Sequence, residues 1–248
     1  ETVALAVMPI THNSSVTVTW GPVMVGGGTT VVTKFMRPKE QFALIEKRKV
    51  TYVPMVPVQI KYWMEAEELM KAYDLSSLRL IAGGAQKIRP EQAKWCLEKL
   101  QVKFVSGFGM SEGPMIATRP ESPLEAQMYT VGRPILVAPD VQIKIVDEEN
   151  QEVKQGEIGE MICKGPLTFK GYFRDPVANA KSFDEQGFFH SGDLMSQRED
   201  GRFVVEGRKK DMIIRGGENV YPEPVEDMLG RHPKVAYGAV TGMPDPAL

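Results

Sequence analysis

The sequence predicts an α/β fold in which a mostly parallel α/β subdomain precedes a small β-barrel-like subdomain and the start of an α+β C-terminal domain. Up to residue 127, short apolar strands alternate with helix-length periodic stretches. This alternation is typical of parallel sheets with right-handed crossovers. From residue 128 the helical periods give way to short strands, and a new strand-turn-helix pattern begins at residue 208. We therefore expect three parts, 1–127, 128–207 and 208–248.

The first part alternates strands with helices and glycine turns. Its predicted strands are Val3–Met8, Thr30–Val32, Val50–Val58, Leu78–Ala82 and Val102–Ser106, and its predicted helices are 38–49, 59–73 and 90–100. In such sheets, ligands bind outside the carboxyl ends of the strands. Gly83 and Gly107 each follow one of these ends. We therefore expect the binding site at this edge of the sheet.

The other two parts contain short strands separated by turn residues. The predicted strands are Val141–Val146, Gly159–Cys163, Phe188–His190, Arg202–Glu206, Met212–Ile214 and Val235–Val240. The segment Ser191–Asp193 is predicted to end the third of these strands, and a helix is predicted at Glu223–Leu229. The first four strands indicate an antiparallel or barrel-like subdomain.

Composition and charge exclude several classes of protein. The 248 residues are 42% hydrophobic and 25% charged, which is typical of a globular protein that can bury a sizeable core. The net charge of −2 gives no electrostatic reason to expect nucleic acid or an anionic membrane as the main partner. No apolar run approaches the roughly 20 residues of a membrane-spanning helix. The two cysteines lack zinc-site spacing and favour free thiols in a reducing compartment, so we expect a cytoplasmic protein.

Three motifs carry groups suited to a nucleotide. In Gly107–Glu112, the glycines allow a ligand to approach the backbone closely, and the aromatic ring between them offers a stacking face. Glu112 could hold a hard cation. A tight turn would explain the same residues without a ligand. Asp193 could accept both hydroxyls of a ribose, or could form an Asx-turn. Arg208 could contact a phosphate or the same ribose, or could lie in a solvated basic turn.

Five stretches together resemble the adenylate-forming superfamily, which includes acyl- and aryl-CoA synthetases, peptide-synthetase adenylation domains and luciferases. The stretches, in order, are Gly107–Glu112, Val131–Pro134, Gly156–Tyr172, His190–Asp193 and Gly207–Pro222. The resemblance implies ATP-dependent conversion of a carboxylic acid to an acyl-adenylate with release of pyrophosphate. Transfer of the acyl group to coenzyme A or to the phosphopantetheine thiol of a carrier protein would follow.

The resemblance also implies roles for individual residues. The adenine pocket would be lined by Gly83, Gly84 and Ala85, and Phe108 would pack on the adenine. Gly109, Met110 and Ser111 would surround the adenylate phosphate, Glu112 would contact Mg²⁺, and Asp193 would hold the ribose. Arg208 would contact ribose and phosphates, and together with Glu112 it would assist catalysis.

Lys210 matches the hinge of a mobile C-terminal domain, and Gly216–Gly217 matches a segment brought to the thiol tunnel. The remaining histidines, His190 and His232, are interpreted as surface or packing residues.

The acid substrate is indicated by His12 and Asn13. His12 resembles a histidine that borders the acyl pocket in the superfamily, and Gly107 would border the same pocket. An Asn after this histidine, here Asn13, is similar to the branch of the superfamily that activates dihydroxybenzoate and salicylate. Helix capping would also explain Asn13, and Val18 departs from the small polar residue of that branch. A medium- or long-chain fatty-acyl-CoA ligase is the alternative, and a non-catalytic nucleotide-binding protein is an alternative of a different class.

The ends of the chain predict a piece of a longer protein. The chain opens without Met on a strand-like run and stops soon after another. Relative to the superfamily, the phosphate loop with its lysine would lie upstream and a second lysine beyond Leu248, so we expect the chain alone to be inactive. Gly26–Thr30 is not that loop, because it lacks the lysine. The expected partners are ATP, a carboxylic acid and an acceptor thiol, and a homodimer is among the expected assemblies.

Overall fold

The computed structural model describes residues 1–34, 37–215, 218–230, 232, 234–235 and 238–243. The chain divides into two compact units. The first unit comprises Glu1–Ser111 and Met115–Gly132, and the second comprises Glu112–Pro114 and Arg133–Leu248. The three-part division at residues 127 and 207 stays a prediction.

The first unit is built on a mixed sheet with the strand order β2-β1-β3-β4-β5-β6. Its strands are β1 (Val3–Ala6), β2 (Thr29–Val32), β3 (Tyr52–Met55), β4 (Leu80–Gly83), β5 (Lys103–Phe108) and β6 (Ile116–Ala117). The first five strands are parallel to their neighbours, whereas β6 runs antiparallel to β5. The predicted α/β class with a mostly parallel sheet is confirmed.

The helices of the first unit connect these strands. A π-helical segment (Ser15–Trp20) runs into α1 (Gly21–Val25), and the others are α2 (Pro38–Arg48), α3 (Pro57–Glu65), α4 (Glu67–Met70), α5 (Pro90–Glu98) and α6 (Leu124–Tyr129). Proline stands at the first turn of α2, α3 and α5, where its missing N–H costs no hydrogen bond. The prediction of a strand over Val50–Val58 was wrong at its C-terminal end, because Pro57 begins α3.

The core of the first unit lies between the sheet and its helices. Its largest fully buried side chains include Leu5, Phe42, Ile60 and Phe104. Trp63 is 1% exposed, packs edge-on against Phe42 with 5.1 Å between ring centroids, and donates its indole N–H to Gln41 Oε1 at 2.6 Å. The hydrogen bond allows the polar end of the indole to be buried with its ring.

Two buried glutamines link the loops at the carboxyl ends of the strands. Gln59 of α3 accepts the backbone N–H of Val56 on Oε1 (3.1 Å) and donates from Nε2 to the carbonyl of Val7 (3.1 Å). Gln92 of α5 likewise accepts the N–H of Arg89 (3.1 Å) and donates to the carbonyl of Pro57 (2.8 Å). Each side chain therefore satisfies an N–H at a helix start and ties that helix to a neighbouring loop.

The second unit contains a four-stranded antiparallel sheet with the order β11-β10-β9-β8 and a separate pair, β12 and β13. After β7 (Arg133–Pro134), its elements are β8 (Gln142–Val146), β9 (Gly159–Lys164), α7 (Pro176–Ser182), β10 (Phe189–Gln197), β11 (Phe203–Arg208), a 3₁₀ turn (Lys209–Asp211), β12 (Ile213–Arg215), β13 (Glu218–Val220) and α8 (Pro222–Gly230).

Three expectations for the second unit need correction. β10 does not end at Asp193 but continues to Gln197, because the chain resumes pairing after a register shift. The helix α7 was not predicted; Asp175 caps it by accepting the N–H of Ala178 at 2.9 Å. The strand predicted at 235–240 is not formed by the described residues 235 and 238–240, and residues 236 and 237 lie outside the described part.

Among the described residues, every helix is too short or too polar to cross a membrane.

Trp63→Phe should lower the free energy of unfolding by about 1–3 kcal/mol, because it removes a buried hydrogen bond and leaves a small cavity. Urea denaturation checks this value. Trp20→Phe is the matched control, since the buried indole Nε1 of Trp20 has no partner among the described residues. An equal loss in both variants would contradict the contribution that we assign to the Trp63–Gln41 hydrogen bond.

Candidate functional site

A carboxylate and a guanidinium meet across two strands of the second unit. The antiparallel register places Asp193 of β10 opposite Arg208 of β11. Arg208 Nε lies 3.0 Å from Asp193 Oδ1, and the two side chains are 59% and 7% exposed. The structure therefore brings together two residues that the sequence analysis assigned to one ribose and its phosphates.

The Asp193 carboxyl group is held in an environment that disfavours its charge. Burial raises its pKa most, the Glu160 and Glu112 carboxylates raise it further, and Arg208 opposes the change without cancelling it. Its backbone N–H donates to Ser191 Oγ (3.0 Å), and that hydroxyl donates to the Met161 carbonyl (2.7 Å). Hydroxyl groups of a ligand, such as those of a ribose, would donate hydrogen bonds to this carboxylate and stabilise its ionised form.

Glu160 of β9 was not among the residues predicted from the sequence. Its side chain is 7% exposed. Its Oε1 accepts the backbone N–H of Gly192 (3.0 Å), and its Oε2 contacts Lys209 Nζ (3.0 Å) and His190 Nδ1 (3.3 Å). The other nitrogen of His190 lies 3.9 Å from Asp184 Oδ2. His190 is thus neither a simple surface residue nor a packing residue, since it lies between two carboxylates.

Glu160 and Asp193 are both buried, yet their pKa values move in opposite directions. Burial alone would raise the pKa of Glu160, but hydrogen bonds from Lys209, His190 and Gly192 and the Lys209 charge outweigh it, and the pKa is lowered. The difference lies in the number of donors, because a carboxylate that accepts several hydrogen bonds is stabilised in its charged form.

Glu112 is held by the segment that precedes α7. Tyr172 donates its hydroxyl to Glu112 Oε1 (3.3 Å), and the Phe169 backbone N–H donates to the Glu112 carbonyl (2.9 Å). Phe169 packs edge-on against Tyr172 and Phe189, with ring centroids 4.9 and 5.0 Å apart. The pKa of Tyr172 is raised by burial and by the Glu112 charge. Among the described residues, no cluster of three or more metal-ligating His, Cys, Asp or Glu side chains occurs.

In the first unit, glycines allow close packing at the carboxyl edge of the sheet. A Cβ on Gly84 would lie 2.9 Å from the Gly107 carbonyl oxygen, and one on Gly83 would lie 2.7 Å from the Phe104 ring. Ala85 follows with a φ of +68° in the left-handed region. The register pairs Gly83 of β4 with Ser106 of β5, so the predicted adenine-facing residues lie beside Gly107 at one edge.

The Gly107–Ser111 segment differs from its prediction at one end. Gly107 and Phe108 are not in a loop but belong to β5, because they pair with Ala117 and Ile116 of β6. Gly109 lies close to Met115, whose Cγ would be 3.1 Å from an added Cβ. The exposed surface of the segment begins at Gly109 and includes Ser111, while Met110 is half-buried.

His12 and Asn13 follow β1 at the same edge of the sheet. His12 is exposed, and its Nδ1 accepts the backbone N–H of Ser14 (3.1 Å) and lies 2.7 Å from the Ser14 hydroxyl. The Asn13 side chain makes no capping hydrogen bond among the described residues, so helix capping does not explain Asn13.

The predicted hinge residue Lys210 lies in the 3₁₀ turn Lys209–Asp211 and is exposed. The segment Gly216–Gly217 lies outside the described residues. The hinge and thiol-tunnel assignments both stay predictions.

Glu160→Gln should lower the free energy of unfolding at pH 7 by about 1–3 kcal/mol, because one amide oxygen cannot replace a carboxylate with three donors. The pKa of Glu160 is lowered in the folded state, so its contribution is present above the ordinary value of 4.5 and is lost as the pH falls below it. Urea denaturation at pH 7 and pH 4 checks the pH dependence. Glu157 is exposed, so the free energy of unfolding of Glu157→Gln should stay within about 0.5 kcal/mol of the wild-type value at both pH values. If Glu160→Gln loses as much stability at pH 4 as at pH 7, the role assigned to the Glu160 charge is contradicted.

Comparison with known proteins confirms the resemblance. Residues 1–173 match the AMP-binding enzyme family. The chain is 40% identical over 252 residues to pyochelin synthase PchD of Pseudomonas aeruginosa (strain UCBPP-PA14), covering 100% of this chain and 45% of that protein. It is 39% identical over 255 residues to the 2,3-dihydroxybenzoate-AMP ligase of Bacillus subtilis (strain 168), covering 99% and 45%.

A solved structure shows the same fold. Apo MbtA of Mycobacterium smegmatis superposes with a TM-score of 0.77 at 36% identity, covering 99% of this chain and 46% of that one. The chain spans slightly less than half the length of the curated relatives to which it was compared. Since the family match extends over more than half of its residues, the chain belongs to the AMP-binding enzyme family.

Proposed function

We propose that the complete gene product carrying this sequence activates an aryl carboxylic acid with ATP and then transfers the acyl group to a thiol. The observation that carries this proposal is the buried Asp193 carboxylate paired with Arg208 in a member of the AMP-binding enzyme family. A carboxylate of this kind, whose pKa is raised by burial, gains from two hydroxyl donors on one ligand. The 2′- and 3′-hydroxyls of ATP are such donors.

We propose the following nucleotide contacts, given for each unit separately. In the first unit, the backbone of Gly83, Gly84 and Ala85 would face the adenine and Phe108 would pack on it. Gly109, Met110 and Ser111 would surround the α-phosphate, and glycine at that segment permits close backbone approach. In the second unit, Asp193 would hold the ribose. Arg208 is 59% exposed, which leaves its remaining N–H groups available to phosphate oxygens.

Glu112 fits the role of a Mg²⁺ ligand. Mg²⁺ is commonly bound through one or two carboxylates together with substrate phosphates, so a full protein cage is not needed. The Glu112 carboxylate is partly exposed and is oriented by the Tyr172 hydroxyl. When bound, Mg²⁺ would neutralise phosphate charge during transfer.

Formation of the adenylate requires positioning and charge stabilisation and no general base. A carboxylate oxygen of the acid attacks the α-phosphorus of ATP, the new O–P bond forms, and the bond to pyrophosphate breaks. In the second step the acceptor thiol loses its proton to solvent, its sulfur attacks the acyl carbon, and the bond between the acyl carbon and AMP breaks. The acid is already ionised at pH 7, so the chain need only hold the ribose through Asp193 and stabilise phosphate charge through Arg208.

An aryl acid is the proposed substrate because of Asn13. Since the Asn13 side chain makes no capping hydrogen bond among the described residues, its amide could recognise an ortho hydroxyl. A site that bonds a hydroxyl discriminates strongly against analogues without it. His12 and Gly107 would border the same acid. The similarity to a 2,3-dihydroxybenzoate-AMP ligase supports this class.

The proposal also includes the acceptor thiol, the cellular location and the oligomeric state. The thiol would belong to coenzyme A or to the phosphopantetheine arm of a carrier protein. A cytoplasmic location stays a prediction and is supported by two buried, unpaired cysteines, Cys96 and Cys163. A homodimer also stays a prediction.

The complete gene product should catalyse ATP–pyrophosphate exchange with salicylate or 2,3-dihydroxybenzoate about tenfold or more faster than with benzoate. Asn13→Ala should reduce this preference, because the amide that bonds the ortho hydroxyl is gone. Exchange only with medium-chain fatty acids would identify a fatty-acyl ligase instead. Nucleotide binding without exchange for any acid would indicate a non-catalytic protein.

Asp193→Asn should weaken ATP binding by about 10- to 100-fold, because a neutral amide with one acceptor oxygen replaces a charged carboxylate with two. Binding of 2′,3′-dideoxy-ATP should change little, since this analogue lacks both hydroxyls. Isothermal titration calorimetry in the presence of Mg²⁺ measures both affinities. Normal ATP affinity in Asp193→Asn would count against the ribose assignment and therefore against the proposed function.

A further inference from the structure

We propose that Glu160 is a positioning residue for nucleotide recognition, which holds the segments carrying Asp193 and Arg208 in place. The inference rests on the proposed function, because it assumes that Asp193 binds the ribose. Glu160 itself lies on a third strand, β9, and contacts the residue before Asp193 and the residue after Arg208. One buried carboxylate thus links both members of the pair.

The first contact fixes the backbone beside Asp193. The register between β9 and β10 shifts between His190 and Leu194, and Gly192 within this interval has a φ of +71°. The ladder between β9 and β10 is therefore interrupted at this segment, although Asp193 is still paired with Arg208 of β11, so a side chain of β9 can help to set its position. Glu160 Oε1 does so by accepting the Gly192 N–H at 3.0 Å.

The second contact fixes the turn that follows β11. Lys209 immediately follows Arg208 and begins the 3₁₀ turn, and its ammonium lies 3.0 Å from Glu160 Oε2. His190, three residues before Asp193, reaches the same oxygen at 3.3 Å. Because these contacts converge on one rigid carboxylate, a displacement of either segment would disturb the other.

The arrangement also explains why a charged side chain is needed at position 160. Two buried carboxylates in one sheet repel each other unless each has its own cation. Arg208 forms an ion pair with Asp193, and Lys209 forms an ion pair with Glu160. A glutamine at position 160 would offer one oxygen, so either the Gly192 contact or the Lys209 contact would be lost.

The test compares ATP with 2′,3′-dideoxy-ATP in the complete gene product with Mg²⁺, by isothermal titration calorimetry. The wild-type protein should prefer ATP. Glu160→Gln should reduce this preference about tenfold, through weaker binding of ATP and not of the dideoxy analogue. A merely structural role would weaken both nucleotides equally and leave the preference unchanged. Glu206→Gln is the matched control, since Glu206 also accepts a hydrogen bond within this sheet, from Ser196 Oγ at 2.6 Å; its preference should equal that of the wild type.

Two further outcomes separate the proposals. Loss of preference in Asp193→Asn but an unchanged preference in Glu160→Gln overturns the inference and leaves the proposed function standing. Absence of any preference in the wild-type protein overturns both. If Glu160→Gln does not fold, Lys209→Gln decides, because Lys209 is 45% exposed and its substitution removes one of the two contacts of Glu160 Oε2. An unchanged preference in Lys209→Gln then contradicts the proposal.

Discussion

The second unit depends on burying two carboxylates, Glu160 and Asp193, in one small sheet. Removing a carboxylate from water is costly unless donors replace the lost hydration. Glu160 has its replacement within the chain, in Lys209, His190 and the Gly192 N–H, and its pKa falls. Asp193 is compensated only in part, and its pKa rises. The sheet thus contains one satisfied carboxylate that stabilises the fold and one under-satisfied carboxylate whose remaining cost a ligand can relieve.

The first unit is subject to a different constraint, which is steric. Close packing where β4 meets β5 leaves no room for a side chain. A Cβ on Gly83 would collide with the Phe104 ring, and one on Gly84 would collide with the Gly107 carbonyl. Packing therefore requires glycine at both positions, at the edge where we propose that the adenine binds.

Much of the fold could be predicted because it is encoded locally. Alternating periodicity indicated the parallel sheet, and Gly83 and Gly84 indicated where β4 ends. The site was predicted less completely. The spacing of Asp193 and Arg208 did not reveal their pairing, and Glu160 reads as an ordinary strand residue because its partners are 30 to 49 positions away. The register shift at Gly192 was also missed, so β10 was predicted too short. Such features arise from tertiary contacts, which periodicity and propensity do not report.

The two glutamines of the first unit have a mechanical consequence. Gln59 joins Val7, which follows β1, to the start of α3 at Val56, and Gln92 joins the adjoining Pro57 to the start of α5 at Arg89. The loops that follow β1, β3 and β4 are therefore connected through two buried side chains. Moving one of these loops away from its neighbour would break a buried hydrogen bond, which costs free energy. The carboxyl edge of this sheet is thus held together by side chains as well as by its backbone ladder.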